Sequence, residues 1–265
     1  MASIDKQLNE ISKLNTLQQR DIWISHIHPL SKLLTTIIYV FFVVSIDKYQ
    51  LNMMIFMAIY PFVSLSVAEL SLKEALYRMR LILPLVMAVG IFNPIMDRNA
   101  IGTVGGVVIT TGLISMITLM LKGLYTVLAA YVLIATTSIE DICYALRTIH
   151  VPRLLVTVIL LIDRYIYILG EEADRIMTAY KLRAPSQKGI HYKAWGPLVG
   201  QWLIRSMDRA ELVYESMQLR GFKGDFASVK KDHDIKGGVA YVCIWLILLA
   251  AIRFTNVVSI VSSLF

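Results

Sequence analysis

Charge-free apolar stretches recur along the chain at residues 33–46, 49–68, 81–96, 101–121, 123–139 and 237–252. A helix needs about 20 residues to cross a hydrocarbon layer, and fewer where its end residues snorkel. The first two stretches are separated by Asp47-Lys48, which belongs at an interface, so they predict a helical hairpin whose second arm is kinked at Pro61. Residues 71–80 (Ser-Leu-Lys-Glu-Ala-Leu-Tyr-Arg-Met-Arg) mix charge and apolarity and predict a short amphipathic helix instead of a span. The third stretch contains Pro84, Gly90 and Pro94 and closes at Asp97-Arg98. The run 101–139, interrupted only by Lys122, is too long for one crossing at about 1.5 Å per residue. Its first part is expected to be interfacial or tilted and its second part to span, with two short helices hinged at Gly123 as the alternative.

Between the fourth span and the last the pattern changes. Thr137-Ser138 before Ile139-Glu140-Asp141 offers a hydroxyl cap and carboxylates suited to a helix start, and that helix should end near His150. Pro152 fits the first turn of a second helix, which can run past Glu171, Glu172 and Arg175 to Arg183 before Ala184-Pro185 stops it. A polar loop, 186–193, leads to Gly196-Pro197 and a third helix ending at Arg220, with Gly221 as a left-handed cap. Both long helices carry more apolar residues than solvated helices need, among them Leu154 to Ile162 in one and Leu198, Trp202, Met207, Tyr214 and Met217 in the other.

Composition fixes the solvent. Of the 265 residues 57% are hydrophobic and the mean hydropathy is +0.63, beyond the usual range of a soluble chain. The expected fold is therefore an all-α integral membrane protein with about five transmembrane helices and long cytoplasmic helices. Its organisation reads as residues 1–137 (N-terminal segment and four spans), 138–236 (long helices) and 237–265 (last span). The net charge of +7 is unevenly placed: segments 1–32, 69–80 and 138–236 hold 4, 3 and 15 of the 26 lysines and arginines. That bias predicts a cytoplasmic N-terminus and long-helix segment, with Phe265 outside, in a cell (plasma) membrane. Nucleic acid is not an expected partner, because segment 138–236 also carries 12 acidic residues and leaves no basic stripe. The first thirty residues are polar and mixed in charge and carry no signal-peptide pattern. Cys143 and Cys243 have no zinc-site or disulfide spacing and read as packing residues.

Arg183 and Arg220 occupy matching places, each in the last turn of a long helix, within Lys181-Leu182-Arg183-Ala184 and Gln218-Leu219-Arg220-Gly221. A cation there ordinarily just complements the helix dipole. The repetition points further, since a guanidinium fixed at a helix tip suits a carboxylate-lined groove on a partner.

These features resemble the transmembrane T component of energy-coupling-factor (ECF) ABC transporters, marked by short Ala-Arg-Gly motifs at the tips of two cytoplasmic coupling helices. The resemblance runs through His28-Pro29-Leu30-Ser31-Lys32-Leu33, Ala135-Thr136-Thr137-Ser138, Val151-Pro152-Arg153 and, most strongly, residues 205–222. Leu182 and Leu219 replace the motif alanine, and Ala184 replaces the first glycine. The resemblance implies that Arg183 and Arg220 each insert into one of two ATPase subunits, with Leu182, Ala184, Leu219 and Gly221 completing the docking motifs. It implies too that the coupling helices move a separate membrane-embedded substrate-binding S subunit. The Arg209-Ala210-Glu211 and Val213-Tyr214 run is most similar to the cobalt and nickel branch, making those ions the first expected cargo and a vitamin or other micronutrient the alternative.

The chain has no GxxxxGK[ST] loop, so energy must come from partners and the subunit is expected to be non-catalytic, without cofactor or metal of its own. Its five histidines fall in segments assigned to the cytoplasm. The spans hold almost no ionisable group except Lys122, read as snorkelling or facing a neighbouring helix. A stand-alone secondary carrier would show a polar midplane site, and an intramembrane enzyme would show paired acids, zinc ligands or a Ser/Lys dyad.

Overall fold

The computed structural model describes residues 18, 23–80, 83–96, 100–104, 107–185, 187, 189–224, 226 and 235–254. Asp97, Arg98 and Phe265 lie outside them. The elements are α1 (Trp23–His26), α2 (Pro29–Ser45), α3 (Leu51–Met57), α4 (Ile59–Val67), α5 (Leu72–Met79), α6 (Leu83–Met96), β1 (Ala100–Val104), β2 (Val107–Thr110), α7 (Thr111–Thr136), α8 (Ile139–Thr148), α9 (Arg153–Arg183), α10 (Tyr192–Leu219) and α11 (Ile235–Phe254). They fall into two compact units, one within residues 17–138 and 232–265 and the other within 139–231.

In the first unit α7 is central and packs against α2, α3, α4, α5 and α6, while α11 packs on α2 and α3. Thr111–Thr136 and Ile235–Arg253 are each long and apolar enough to cross a membrane, and Pro29–Ser45 and Leu51–Val67 are shorter apolar stretches. Their outward faces are apolar too: Ile37, Phe41 and Val44 on α2, and Ile244 and Ile247 on α11, are exposed. Such faces are at ease in lipid, and the chain is an all-α membrane protein apart from one small ribbon.

That ribbon corrects the reading of residues 101–139. Antiparallel β1 and β2 pair Gly102 with Ile109 and Val104 with Val107. Thr111 then begins one uninterrupted helix through Lys122 and Gly123. Valine, isoleucine and threonine around Gly102 and Gly105 favour strand over helix, which a count of apolar residues does not register. Gly123 is no hinge. A Cβ there would stand 3.1 Å from the methyls of Val86, so its role is close approach of α6 to α7.

The kink expected at Pro61 is a break between α3 and α4 at Ala58. Proline has no N–H for the Met57 carbonyl four residues back, and the Tyr39 hydroxyl donates to that carbonyl instead at 3.0 Å. Tyr39 also stacks on Tyr60 (4.3 Å between centroids), and Tyr60 meets Trp245 edge-on at 4.8 Å. Together with Val43, Met54, Met57, Tyr125 and Leu249 these rings form the buried core joining α2, α3, α4, α7 and α11.

Helices α2 and α7 are antiparallel and close each other's ends. Lys32 Nζ, on a buried side chain at the start of α2, donates to the Thr136 carbonyl at the end of α7 at 3.1 Å. In return Lys122 Nζ of α7 donates to the carbonyls of Val44 (3.1 Å) and Ile46 at the end of α2. Arg253 of α11 adds a bond to the Ser45 carbonyl at 3.2 Å. Final-turn carbonyls have no intrahelical donor, and charge-assisted bonds to them are worth about 1.5–3 kcal/mol each. Lys122 is thus a cap reaching a neighbouring helix, one of the two readings its position allowed.

In the second unit Cys143 is buried on α8 as a packing residue. Burial first, then the charges of Asp163 and Glu140, push its thiol above the usual range, which keeps it protonated and unreactive. Cys243 on α11 is exposed and does not pack in a core, contrary to expectation. Its helix is apolar nearly all round, so the sequence does not say which face turns inward.

Candidate docking tips on two long helices

Helix α9 runs for 31 residues from Pro152, its N-cap, to Arg183. The Ala184 N–H closes the last turn on the Tyr180 carbonyl at 3.1 Å, and Ala184 takes φ −130° and ψ 62° ahead of Pro185. This exit keeps a negative φ and needs no left-handed residue. A left-handed glycine is therefore not required at position 184.

The second tip is built differently. Arg220 caps α10, Gly221 follows at φ 77°, the Gly221 N–H bonds the Gln218 carbonyl (2.9 Å) and the Phe222 N–H bonds the Met217 carbonyl (3.0 Å). This is a Schellman ending, in which glycine carries the positive φ without a Cβ penalty.

The start of α10 departs from expectation. It begins at Tyr192, with His191 Nδ1 accepting from the Lys193 N–H at 3.3 Å, and Pro197 lies within it. So near the N-terminus the proline removes only one early bond, so it marks the first turns without marking the first residue.

The two long helices run antiparallel. The start of α10 is tied to the end of α9 through the Tyr180 hydroxyl, which accepts from the His191 N–H (3.3 Å) and bonds Gln187 Oε1 (2.7 Å). Midway, Trp202 Nε1 donates to the Leu169 carbonyl at 3.1 Å, and Glu172 pairs with both Arg205 and Arg175. Past the far end, Thr157 Oγ1 bonds the Gly224 carbonyl (3.4 Å) and Arg147 bonds the Phe226 carbonyl (3.2 Å). Isolated surface ion pairs contribute little, but a shared carboxylate beside a tryptophan bond fixes where the helices meet. In the sequence Trp202 reads only as an apolar residue, Glu172 reads only as part of the run of its helix, and Tyr180 is not singled out, so the bonds that brace the pair escaped the sequence reading. Only the position of Tyr180, one turn before Arg183, hinted at its bracing role.

Consequently the expected site residues form two groups. Leu182, Arg183 and Ala184 sit at one end of the pair, and Leu219, Arg220 and Gly221 sit at the other, separated by nearly the length of α10, about 40 Å at 1.5 Å per residue. Leu182 and Leu219 are 77% and 89% exposed, and Arg183 and Arg220 are exposed beside them. Among the described residues neither guanidinium has a hydrogen bond or ion pair. Each tip offers a permanently charged planar fork next to an apolar knob, a combination suited to a carboxylate in an apolar groove. Among the described residues no group of three His, Cys, Asp or Glu side chains comes together to hold a metal ion.

The sequence profile of the family described as Cobalt transport protein, CbiQ, matches residues 20–231, a range that includes both tips. A protein named Nickel permease LarQ from Lactiplantibacillus plantarum is 31% identical over 91 residues, 34% of this chain and 33% of that protein. The uncharacterized protein MJ1089 of Methanocaldococcus jannaschii is 31% identical over 90 residues, 34% of each chain. The chain therefore aligns with about a third of the length of either relative.

Proposed function

The chain belongs to the CbiQ cobalt transport protein family, and from that premise we propose that it is the energy-coupling T component of an ECF-type ABC importer. Arg183 and Arg220 each dock into one of two ATPase subunits, and the α9–α10 pair passes the closure of those subunits to a separate membrane-embedded substrate-binding S subunit. One observation carries this reading: two solvent-exposed arginines, neither with a partner among the described residues, stand at opposite ends of one braced helical pair, about 40 Å of helix apart at 1.5 Å per residue. Two tips so far apart suit two docking grooves better than one. Cobalt or nickel is the proposed cargo, supported by the family description and by the nickel permease likeness.

The experiment is co-expression with candidate ATPase and substrate-binding subunits from the same genome. The chain is expected to co-purify with both, and vesicles containing the complex should take up Co²⁺ or Ni²⁺ only with ATP inside the ATPase-facing compartment. ATP-independent uptake by the chain alone would overturn the reading.

The lysine and arginine bias further supports a multi-pass arrangement in the plasma membrane with residues 138–236 on the cytoplasmic side. Cysteines introduced beside Asp47 should react with an impermeant reagent from outside, and cysteines at 187 or 189–193 should not. The opposite labelling pattern would reverse the orientation.

A further inference from the structure

Helix α5 and the start of α6 enclose a groove of about 580 Å³ lined by Lys73, Leu76, Tyr77, Arg80, Pro84 and Met87. Its floor is apolar, and among the described residues its charged lining groups are two cations. Lys73 in the first turn of α5 and Arg80, its C-cap, stand seven residues apart, nearly on one face and about 10 Å apart along the axis. Neither forms a hydrogen bond or ion pair among the described residues. Leu76, Tyr77 and Met87 are exposed within the groove, and the exposed apolar face of α6 continues from it through Val89, Ile91 and Phe92. An apolar floor running into the exposed apolar face of α6, with two positive charges at its rim that have no partner among the described residues, calls for one occupant of matching shape: an acyl chain below and an anion above.

We propose that this groove binds an anionic phospholipid, its phosphate held by Lys73 and Arg80 and its acyl chain lying over Leu76, Pro84 and Met87. A free anion would leave the apolar floor uncovered, and a zwitterionic lipid would leave the cations uncompensated. Basic pockets beside membrane helices take acidic headgroups for this reason, and tyrosine at the same level suits an interface. The proposal rests on the chain being a membrane protein and is independent of docking at Arg183 and Arg220.

The test is native mass spectrometry of the full chain in detergent, titrated with phosphatidylglycerol or phosphatidylcholine. Phosphatidylglycerol should be retained in preference, and inorganic phosphate should not displace it. Lys73→Gln combined with Arg80→Gln should weaken retention about thirtyfold, at about fivefold per cation near a membrane surface. Lys73→Arg with Arg80→Lys should keep it, and Lys193→Gln with Lys223→Gln, in the other unit, should leave it unchanged. Equal retention of the two lipids, displacement by phosphate, or full retention by the doubly neutralised variant with native helix content would each overturn the proposal.

Discussion

Replacing both Arg183 and Arg220 by alanine is expected to abolish co-purification with the ATPase subunits while leaving the chain folded in the membrane. The two possible roles of a tip arginine differ in size. A charge-assisted bond in a partner groove costs about 2–5 kcal/mol when one side is removed, because the partner carboxylate is left buried and unpaired. A contact with the helix dipole alone is worth about 0.3–1 kcal/mol. Both side chains are exposed and unpartnered among the described residues, so their removal leaves no cavity and breaks no hydrogen bond or ion pair among them. With the tips at opposite ends of the pair the two losses should add, since distant sites without shared partners are nearly independent. Each single variant should assemble weakly and transport poorly. Lysine at either place should rescue only in part, because a point charge cannot reproduce a planar two-pronged contact. Normal assembly and transport by the double alanine variant would return both arginines to the role of caps.

Trp245→Ala should lower the stability of the membrane unit by about 3–5 kcal/mol, the usual cost of emptying a large aromatic site. Trp245 is 8% exposed, stands edge-on to Tyr60 and lies in the cluster through which α11 meets α2, α3 and α4. Lipid is as apolar as the protein interior, so the loss here is mainly of packing contacts and not of transfer from water. Ile244, the preceding residue, is 62% exposed on the other face of α11, and Ile244→Ala should change stability by less than about 0.5 kcal/mol. Denaturation in detergent, followed by near-ultraviolet circular dichroism, distinguishes the two. Equal effects would mean that α11 is not packed through this face.

The long helices of the second unit were legible because local signals mark their ends: Pro152 and Pro185 bound α9, and Gly221 closes α10 at the positive φ expected of it. Both tip arginines were legible for the same reason. Other features depend on contacts between residues far apart in sequence. Nothing near Lys122 reveals that its target is the end of α2, and nothing near Pro61 names Tyr39 as the donor replacing its missing N–H. Apolarity without regard to β-branching read the run from residue 101 as helix, its first part interfacial or tilted, whereas residues 100–104 and 107–110 pair as a ribbon. The opposite-end placement of the two motifs also could not be read from spacing, since the 36 positions between Arg183 and Arg220 fit many geometries until Tyr180, Trp202 and Glu172 fix the pair as antiparallel.

The reciprocal lysine caps set a length as well as a contact. From Lys32 to Ile46 along α2, and from Lys122 to Thr136 along α7, is the same interval of fourteen residues, about 21 Å of helix. A typical hydrocarbon core is about 30 Å thick, and any tilt shortens the projected interval further. The charged levels of this helical pair are therefore closer together than the two surfaces of an undisturbed bilayer. In a bilayer of ordinary thickness the lysine stems would snorkel, or lipid headgroups and water would dip towards the ammonium groups, at a cost of fractions of a kcal/mol per ångström of mismatch. Lipid elasticity would then favour beside this pair a membrane protein of similarly short hydrophobic length.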